Sequence, residues 1–387
     1  MKASLQPVSA GVVAALVGFA SSFAVVLAGL EAVGASQSQA ASGLLAVCVT
    51  QAVGILWLTW RRRIPLLLAW STPGAALLAS SGAVDGGWSA AVGAFLVVGC
   101  LILLTALWPV LGDLIAAIPA PIAQAMLAGV LLTICLEPVR VFADRPGLVA
   151  PILVVWVLLL RFARTLAIPG AFVTTMVVIA VYLIEHGAPH LHLAPHVAWT
   201  DPTWSWQAVI GLAVPLYVVT MASQNVPGVA VLASYGFKVP WRESMTVTGL
   251  GTLAGATAGG HAINLAAITA AMVASPEADP EPDRRWIAAN AGGWTYLVLA
   301  AISTGLVAVV GAAPDGLVGV VAGLALLGTL ASALKGATES EDGREAAVVT
   351  FVVAASGVSF GGVGAAFWAL VAGLLVHAVL GRGRSQP

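Results

Sequence analysis

Two stretches decide how this chain is read: Pro215–Gly228, PLYVVTMASQNVPG, and Gly259–Thr269, GGHAINLAAIT. Each sets uncharged polar side chains beside helix-breaking glycine or proline within an otherwise apolar run. In a hydrocarbon environment an unpaired polar group costs several kcal/mol, so such a cluster is kept where backbone and side chains meet a ligand or a water-filled cavity. The pattern is that of a binding site inside a membrane protein.

The surrounding chain supports that setting. Of 387 residues, 60% are hydrophobic and 9% charged, and the mean hydropathy is +1.00; soluble domains carry roughly 25% charged residues. Transport, signalling and intramembrane chemistry are therefore the classes open to it. A net charge of −1 gives no footing for nucleic acid. Cys48, Cys100 and Cys135 fall singly within apolar runs, which predicts buried small side chains and neither disulfides nor metal ligands. The run from Val8 to Leu30 is too long for a signal h-region and is expected to be a retained first span.

Apolar runs at 8–30, 39–60, 64–80, 88–108, 113–136, 148–164 and 167–185 are followed by a hydrophilic interval and then by runs at 206–233, 243–257, 260–275, 286–310, 314–333, 345–357 and 360–380. The expectation is an all-α polytopic membrane protein with 14 transmembrane segments. An odd number of spans in each half inverts one half relative to the other, giving a 7+7 inverted repeat as in many secondary transporters. With the N-terminus in the cytoplasm, fourteen of the sixteen basic residues, from Lys2 and Arg61–Arg63 to Arg382 and Arg384, fall on the cytoplasmic side; only Arg140 and Arg145 fall outside. Both termini are thus expected in the cytoplasm. The exterior histidines His186, His190, His192 and His196 are read as a solvated loop, with no metal site or cofactor proposed.

Two segments are too interrupted for plain helices. Ser71 and Thr72 precede Pro73, the order of an N-cap followed by proline in the first turn, so a helix should begin there inside the membrane. In the second half, Gly255, Gly259 and Gly260 weaken the helix, and a second half-helix is expected to start near His261. In an inverted repeat these two N-termini would meet near the midplane. Their free N–H groups and partial positive charge would make an anion site without lysine or arginine.

Each element also has a plainer reading. Ser-Thr-Pro-Gly can be a kink, Gly-Gly close helix packing, Gln224 and Asn225 interhelical hydrogen bonding, and His261 a satisfied core histidine. The pairing of the two interruptions at equivalent places in the two halves weighs for a site. All seventeen carboxylates lie in loops or at predicted helix ends, which disfavours a cation carrier and favours an anionic substrate. Phe19, Trp70 and Tyr217 stand in segments that would surround the half-helix ends and could pack a flat ring. An intramembrane enzyme would need a nucleophile and base; only Ser71 and His261 qualify, with no acidic partner. An anion channel or non-transporting sensor remains a third class.

At PLYVVTMASQNVPGVAVL and GGHAINLAAITAA the chain resembles the benzoate/proton symporter family (BenE type), and the likeness runs through the whole chain. That family is related in fold to nucleobase permeases and sulfate-type anion permeases. The resemblance implies a core domain formed by 1–110 and 206–311, a gate domain formed by 111–187 and 312–387, and an external loop at 188–205. Nucleobase permeases carry acidic residues on the eighth and tenth helices, where this chain has Gln224 or Asn225 and His261, which favours a carboxylate. With the sequence ending at Pro387 soon after the fourteenth run, no C-terminal regulatory domain is expected, which argues against a sulfate permease of the usual long form.

The expected function is import of benzoate or a related aromatic carboxylate with a proton, by alternating access, across a bacterial cytoplasmic (inner) membrane. The alternative is a nucleobase or inorganic anion permease of the same fold. Ser71, Thr72, Gly260 and His261 would hold the carboxylate, with Gln224, Asn225 and Asn264 as donors and Phe19, Trp70 or Tyr217 against the ring. His261 and Asn264, three apart, are expected on one helical face. Moving one negative charge inward costs about 2.3 kcal/mol per 100 mV, which co-transport of a proton cancels. His261, with an unperturbed pKa of about 6.5, is the candidate proton carrier; the alternative is that it only donates a hydrogen bond and the proton travels on the substrate. A homodimer is compatible with the sequence, which does not select an oligomeric state.

Overall fold

A computed structural model describes residues 5–187, 194–314, 316–341 and 343–383. Lys2, His190, His192 and Arg384, used above, lie outside the described residues. The first half runs through α1 (Gln6–Ala32), α2 (Gln37–Arg62), β1 (Leu68–Trp70), α3 (Thr72–Ser81), α4 (Gly87–Leu107), α5 (Pro109–Ala116), α6 (Ala120–Cys135), α7 (Glu137–Asp144), α8 (Pro146–Phe162) and α9 (Ala167–His186). The second half opens with one long helical stretch: α10 (Trp206–Ala208), a π turn at Val209–Ala213, α11 (Val214–Thr220), a second π turn at Met221–Asn225, and α12 (Val226–Ser234). It continues with α13 (Trp241–Ala256), β2 (Ile263–Leu265), α14 (Ile268–Ala274), α15 (Trp286–Gly311), α16 (Leu317–Thr338), α17 (Arg344–Ala355) and α18 (Ala365–Gly383). Among the described residues, eight helical segments are long and apolar enough to cross a membrane.

Local sequence explains where these elements begin. Ser36 caps α2 in a reciprocal box with Gln39, each side chain bonding the other's backbone N–H. Ser71 caps α3, its Oγ accepting from the Gly74 N–H at 3.1 Å, with Pro73 in the first turn. Small residues bring helices together: a Cβ at Gly11 would lie 1.9 Å from the Ala288 carbonyl oxygen, so α1 and α15 meet backbone to backbone there. α1 also packs on α3, α14 and α16, α2 on α13 and α15, and α6 on α16 and α17.

The second interruption differs from the sequence expectation. No helix starts at His261; the chain turns at Gly259 (φ +92°), runs extended, and becomes helical only at Ile268. The reason is pairing. β2 lies antiparallel to β1, with Leu68 opposite Leu265, Ala69 opposite Asn264 and Trp70 opposite Ile263. The ladder and its flanks satisfy backbone groups that would otherwise be orphaned in an apolar interior. The Ser71 N–H bonds the Ala262 carbonyl at 2.9 Å and the Ala266 N–H bonds that of Leu67 at 3.0 Å. His261 and Asn264 therefore do not share a helical face, because in an extended segment the side-chain period is two rather than 3.6.

Two smaller expectations are corrected as well. Cys48 and Cys135 are buried, but Cys100 is exposed on the outward side of α4. The described end of the hydrophilic interval is not a free loop: Ala198, Thr200 and Thr203 donate backbone N–H groups to Ser42 Oγ, Thr257 O and Ser89 O, and Trp88 Nε1 donates to Thr200 Oγ1. His196 Nε2 lies 2.7 Å from Ser38 Oγ and His186 stacks on Tyr182, so each has a local partner.

Candidate functional site

The two short strands and the π turn at Met221–Asn225 converge on one place. A π turn widens the helix by one residue, redirecting side chains at a cost in backbone geometry, and such turns concentrate at functional sites. This one falls on the Met-Ala-Ser-Gln-Asn segment and turns its two amides in different directions. Asn225 is fully buried: its Oδ1 accepts the Leu265 N–H at 2.9 Å and its Nδ2 donates to Met221 Sδ at 3.1 Å, so it braces β2. Gln224 instead lines a cavity of about 400 Å³.

That cavity is bounded by the starts of both interrupted segments. Trp70, Thr72 and Pro73 come from β1 and the first turn of α3; Ala266, Ala267 and Thr269 come from the approach to α14. α1 contributes Gly18, Ser21 and Ser22, the π turn Ser223 and Gln224, and α15 Tyr296. The far wall carries Gln124 of α6, Thr165 and Pro169 before and within α9, and Thr329 and Ser332 of α16. None of the lining residues is Asp, Glu, Lys, Arg or His. The wall is neutral: its polar side chains are hydroxyls and amides, with the Trp70 and Tyr296 rings beside them.

The aromatic face is fixed by its own bonds. Trp70 Nε1 donates to Ser22 Oγ at 2.8 Å, and the indole meets Phe19 edge-on at 5.6 Å and Tyr296 at 6.0 Å between centroids. An indole whose N–H is already used presents a rigid apolar surface. Phe19 is buried and stacks on Phe23, behind the indole rather than on the cavity wall.

Of the ten residues expected at the site, the structure brings Trp70, Thr72 and Gln224 to the cavity. Ser71 stands one residue behind, capping α3 and sharing a 2.8 Å hydroxyl contact with Thr220. Tyr217 bonds Thr105 of α4 and does not line the cavity. Gly260, His261 and Asn264 lie behind the strands. Gly260 donates its N–H to Gly255 O at 2.8 Å, and a Cβ there would lie 3.1 Å from that oxygen. His261 is fully buried, with Nε2 3.2 Å from the Ser71 carbonyl. A carbonyl only accepts, so that contact places the ring proton on Nε2 and leaves Nδ1 as a buried acceptor with no hydrogen-bond partner among the described residues. Asn264 Oδ1 and both amide atoms of Gln51 on α2 are likewise buried without partners.

Sequence reading missed Gln124, Ser22, Tyr296, Thr329 and Ser332. Gln124 had the same signal as Gln224, an amide in the middle of an apolar run. The hydroxyl residues carried no distinguishing pattern, since Ser and Thr in membrane helices usually bond the carbonyl one turn back, as Ser22 does to Gly18.

Interrupted helices around a neutral polar cavity, in a chain of long apolar helices, are the architecture of a membrane transport protein. The family model described as benzoate membrane transport protein, BenE, matches residues 1–379. The chain belongs to this family of membrane transporters, which are not enzymes. It is 35% identical over 373 residues to the inner membrane protein YdcO of Escherichia coli (strain K12), covering 96% of this chain and 95% of that one. It is 29% identical over 377 residues to the benzoate membrane transport protein of Acinetobacter baylyi (strain ATCC 33305 / BD413 / ADP1), covering 97% and 95%. In fold it is similar to the transmembrane domain of the cyanobacterial bicarbonate transporter BicA, with a TM-score of 0.61 at 13% identity over 97% of this chain and 95% of that one. It is also similar to SLC26A9, with a TM-score of 0.66 at 13% identity over 99% of this chain and 66% of that one.

Proposed function

We propose that this protein imports benzoate or a related aromatic carboxylate together with a proton, by alternating access. The observation that carries the reading is the neutral cavity of about 400 Å³, a volume in the range of small-ligand sites, with a rigid indole beside the starts of α3 and α14. A flat ring would lie against Trp70 and Tyr296, and the carboxylate would take donors from the Thr72 region and Gln224. The family membership and the named benzoate transporter among its relatives favour the same substrate class.

The architecture is read as 14 spans in two inverted sets of seven, with 1–110 and 206–311 as the core and 111–187 and 312–387 as the gate. The cavity then lies between them, since its near wall is α1, α3 and the π turn and its far wall α6, α9 and α16. On the orientation with both termini in the cytoplasm of a bacterial inner membrane, Thr165 beside Arg164 and Ser332 near Lys335 put its mouth on the cytoplasmic side. At the opposite end, where Gly362 lies against Asp85 and Gln207, there is a smaller hollow of about 100 Å³. The conformation is therefore read as inward-facing.

His261 is the proton-coupling residue in this reading, acting through Ser71 and the cap of α3 without touching the substrate. The test is uptake of radiolabelled benzoate into proteoliposomes with and without an inward proton gradient. Accumulation that collapses with a protonophore supports symport. Uptake indifferent to the gradient removes the coupling, and absent uptake, or competition by uracil or bicarbonate but not by aromatic acids, replaces benzoate with the nucleobase or inorganic-anion alternative.

A further inference from the structure

Apart from the residues that line the cavity, the C-terminal end of α2 meets the start of α13 in a concentration of positive charge. Arg61 and Arg62 share one carboxylate: Arg61 Nε lies 2.9 Å from Glu243 Oε1, and Arg62 pairs with Oε2. Arg63, which closes α2 in the left-handed conformation (φ +51°), Arg242 in the first turn of α13, and Lys238 in the preceding loop form no ion pair among the described residues. Of these five cations, two share Glu243 and three form no ion pair among the described residues. The loop before α15 carries Glu277, Asp279, Glu281 and Asp283 together with Arg284 and Arg285; Asp279 pairs with Arg284, and among the described residues none of these acids forms an ion pair with Arg63, Arg242 or Lys238.

The charge sits where a span meets the membrane surface. Trp57 and Trp60, on the last turns of α2, are 41% and 73% exposed, as expected of interfacial tryptophans. The Arg61 guanidinium stands over Trp57 and that of Arg63 over Trp286, each 5.7 Å from the ring centroid. These contacts hold the guanidinium planes along the aromatic girdle, and the two side chains that share Glu243 remain 55% and 46% exposed. Cations without an ion-pair partner at headgroup depth attract anionic lipid through their charge.

We propose that this junction is a binding site for the phosphate of an anionic phospholipid, with Arg63 and Arg242 as its principal cations and Trp57 and Trp60 against the acyl-glycerol region. The exposed tryptophans select a lipid over a free phosphate, because a soluble anion makes no use of them. The occupant would join the end of α2 to the start of α13, two helices that pack on each other beside β2.

Native mass spectrometry of the purified full chain, offered phosphatidylglycerol and phosphatidylcholine together, tests this. Phosphatidylglycerol should be retained in preference. An Arg63→Gln/Arg242→Gln double variant removes two cations that support no ion pair in the fold, and should weaken phosphatidylglycerol binding roughly thirty-fold while leaving phosphatidylcholine unchanged. The Arg63→Lys/Arg242→Lys variant keeps the charge and should keep the preference. Equal retention of the two lipids by the unaltered protein, undiminished phosphatidylglycerol on the glutamine variant, or its loss from the lysine variant would overturn the proposal. Displacement of the lipid by millimolar inorganic phosphate would also overturn it, by making the site one for a soluble anion.

Discussion

Gln224 and Asn225 are adjacent amides that the structure assigns to different tasks, and substituting each alone separates them. Asn225 accepts the Leu265 N–H at 2.9 Å in a fully buried setting. Asn225→Ala would leave that backbone donor unsatisfied, at a cost of about 1–3 kcal/mol plus a smaller loss for the space vacated. Gln224 makes no hydrogen bond within the described protein and is only half-buried on the cavity wall. Gln224→Ala should shift stability by no more than about 0.5 kcal/mol. A hydrogen bond from its amide to a substrate carboxylate is worth about 1.5–3 kcal/mol, so its loss should weaken benzoate binding by roughly 10- to 150-fold. The assays are equilibrium unfolding in mixed micelles without substrate and scintillation-proximity binding of labelled benzoate. Asn225→Ala should fail the first, and Gln224→Ala should pass it and fail the second. Equal destabilisation by the two substitutions, or unchanged benzoate affinity in Gln224→Ala, would refute the division of labour drawn from the π turn.

Three further substitutions probe the regions around the cavity. His261→Gln keeps a donor able to reach the Ser71 carbonyl but removes the titratable ring; benzoate affinity should stay within about threefold while acceleration of uptake by an inward proton gradient disappears. Persistence of that acceleration would exclude His261 as the carrier. Gln51→Met replaces an amide with two buried unpartnered atoms by an apolar chain of similar length, so unfolding measurements should show stability unchanged or raised by up to about 2 kcal/mol; a clear loss would mean that the amide has a partner. Gly362→Ala places a Cβ at φ +75°, a backbone conformation that costs an L residue about 1–2 kcal/mol, so the unfolding midpoint should fall. An unchanged midpoint would show that the turn accommodates a side chain there without strain.

How much of this was legible in the sequence depends on the range of the interactions concerned. The start of α3 is a local matter: Ser71, Pro73 and Gly74 lie within four residues, and capping preferences suffice to place it. The start of α14 is not. Gly259 and Gly260 show that a regular helix fails, but whether the chain then coils into a new helix or extends depends on a partner nearly two hundred residues away, β1 at Leu68–Trp70. Carrying a helical period through His261–Leu265 put His261 and Asn264 on one face, and strand pairing removes that premise. The π turn is hidden for a related reason. Nothing in Met221–Asn225 marks an added residue per turn, because the turn is stabilised by what Asn225 reaches on β2 rather than by helix propensity.

The same distinction explains which site residues were found. An amide or an indole in a hydrocarbon setting is expensive wherever it lies, so Gln224 and Trp70 stood out by type alone, and Gln124 could have been found in the same way. Cost does not say which way a residue faces. Asn225, His261, Asn264 and Gln51 are as costly as Gln224, yet they lie behind the strand pair, where two of them brace or contact the ladder and its cap and three retain unpartnered atoms. A transporter that rocks about this ladder has a use for both sets. On the proposed mechanism the cavity-facing groups would exchange partners with the substrate, while the groups behind the strands would hold the starts of α3 and α14 in fixed register. The unpartnered atoms behind the ladder, His261 Nδ1 foremost, are then the places where a proton or water would alter that register without competing with the substrate, and this is why the coupling test belongs on His261 and the affinity test on Gln224.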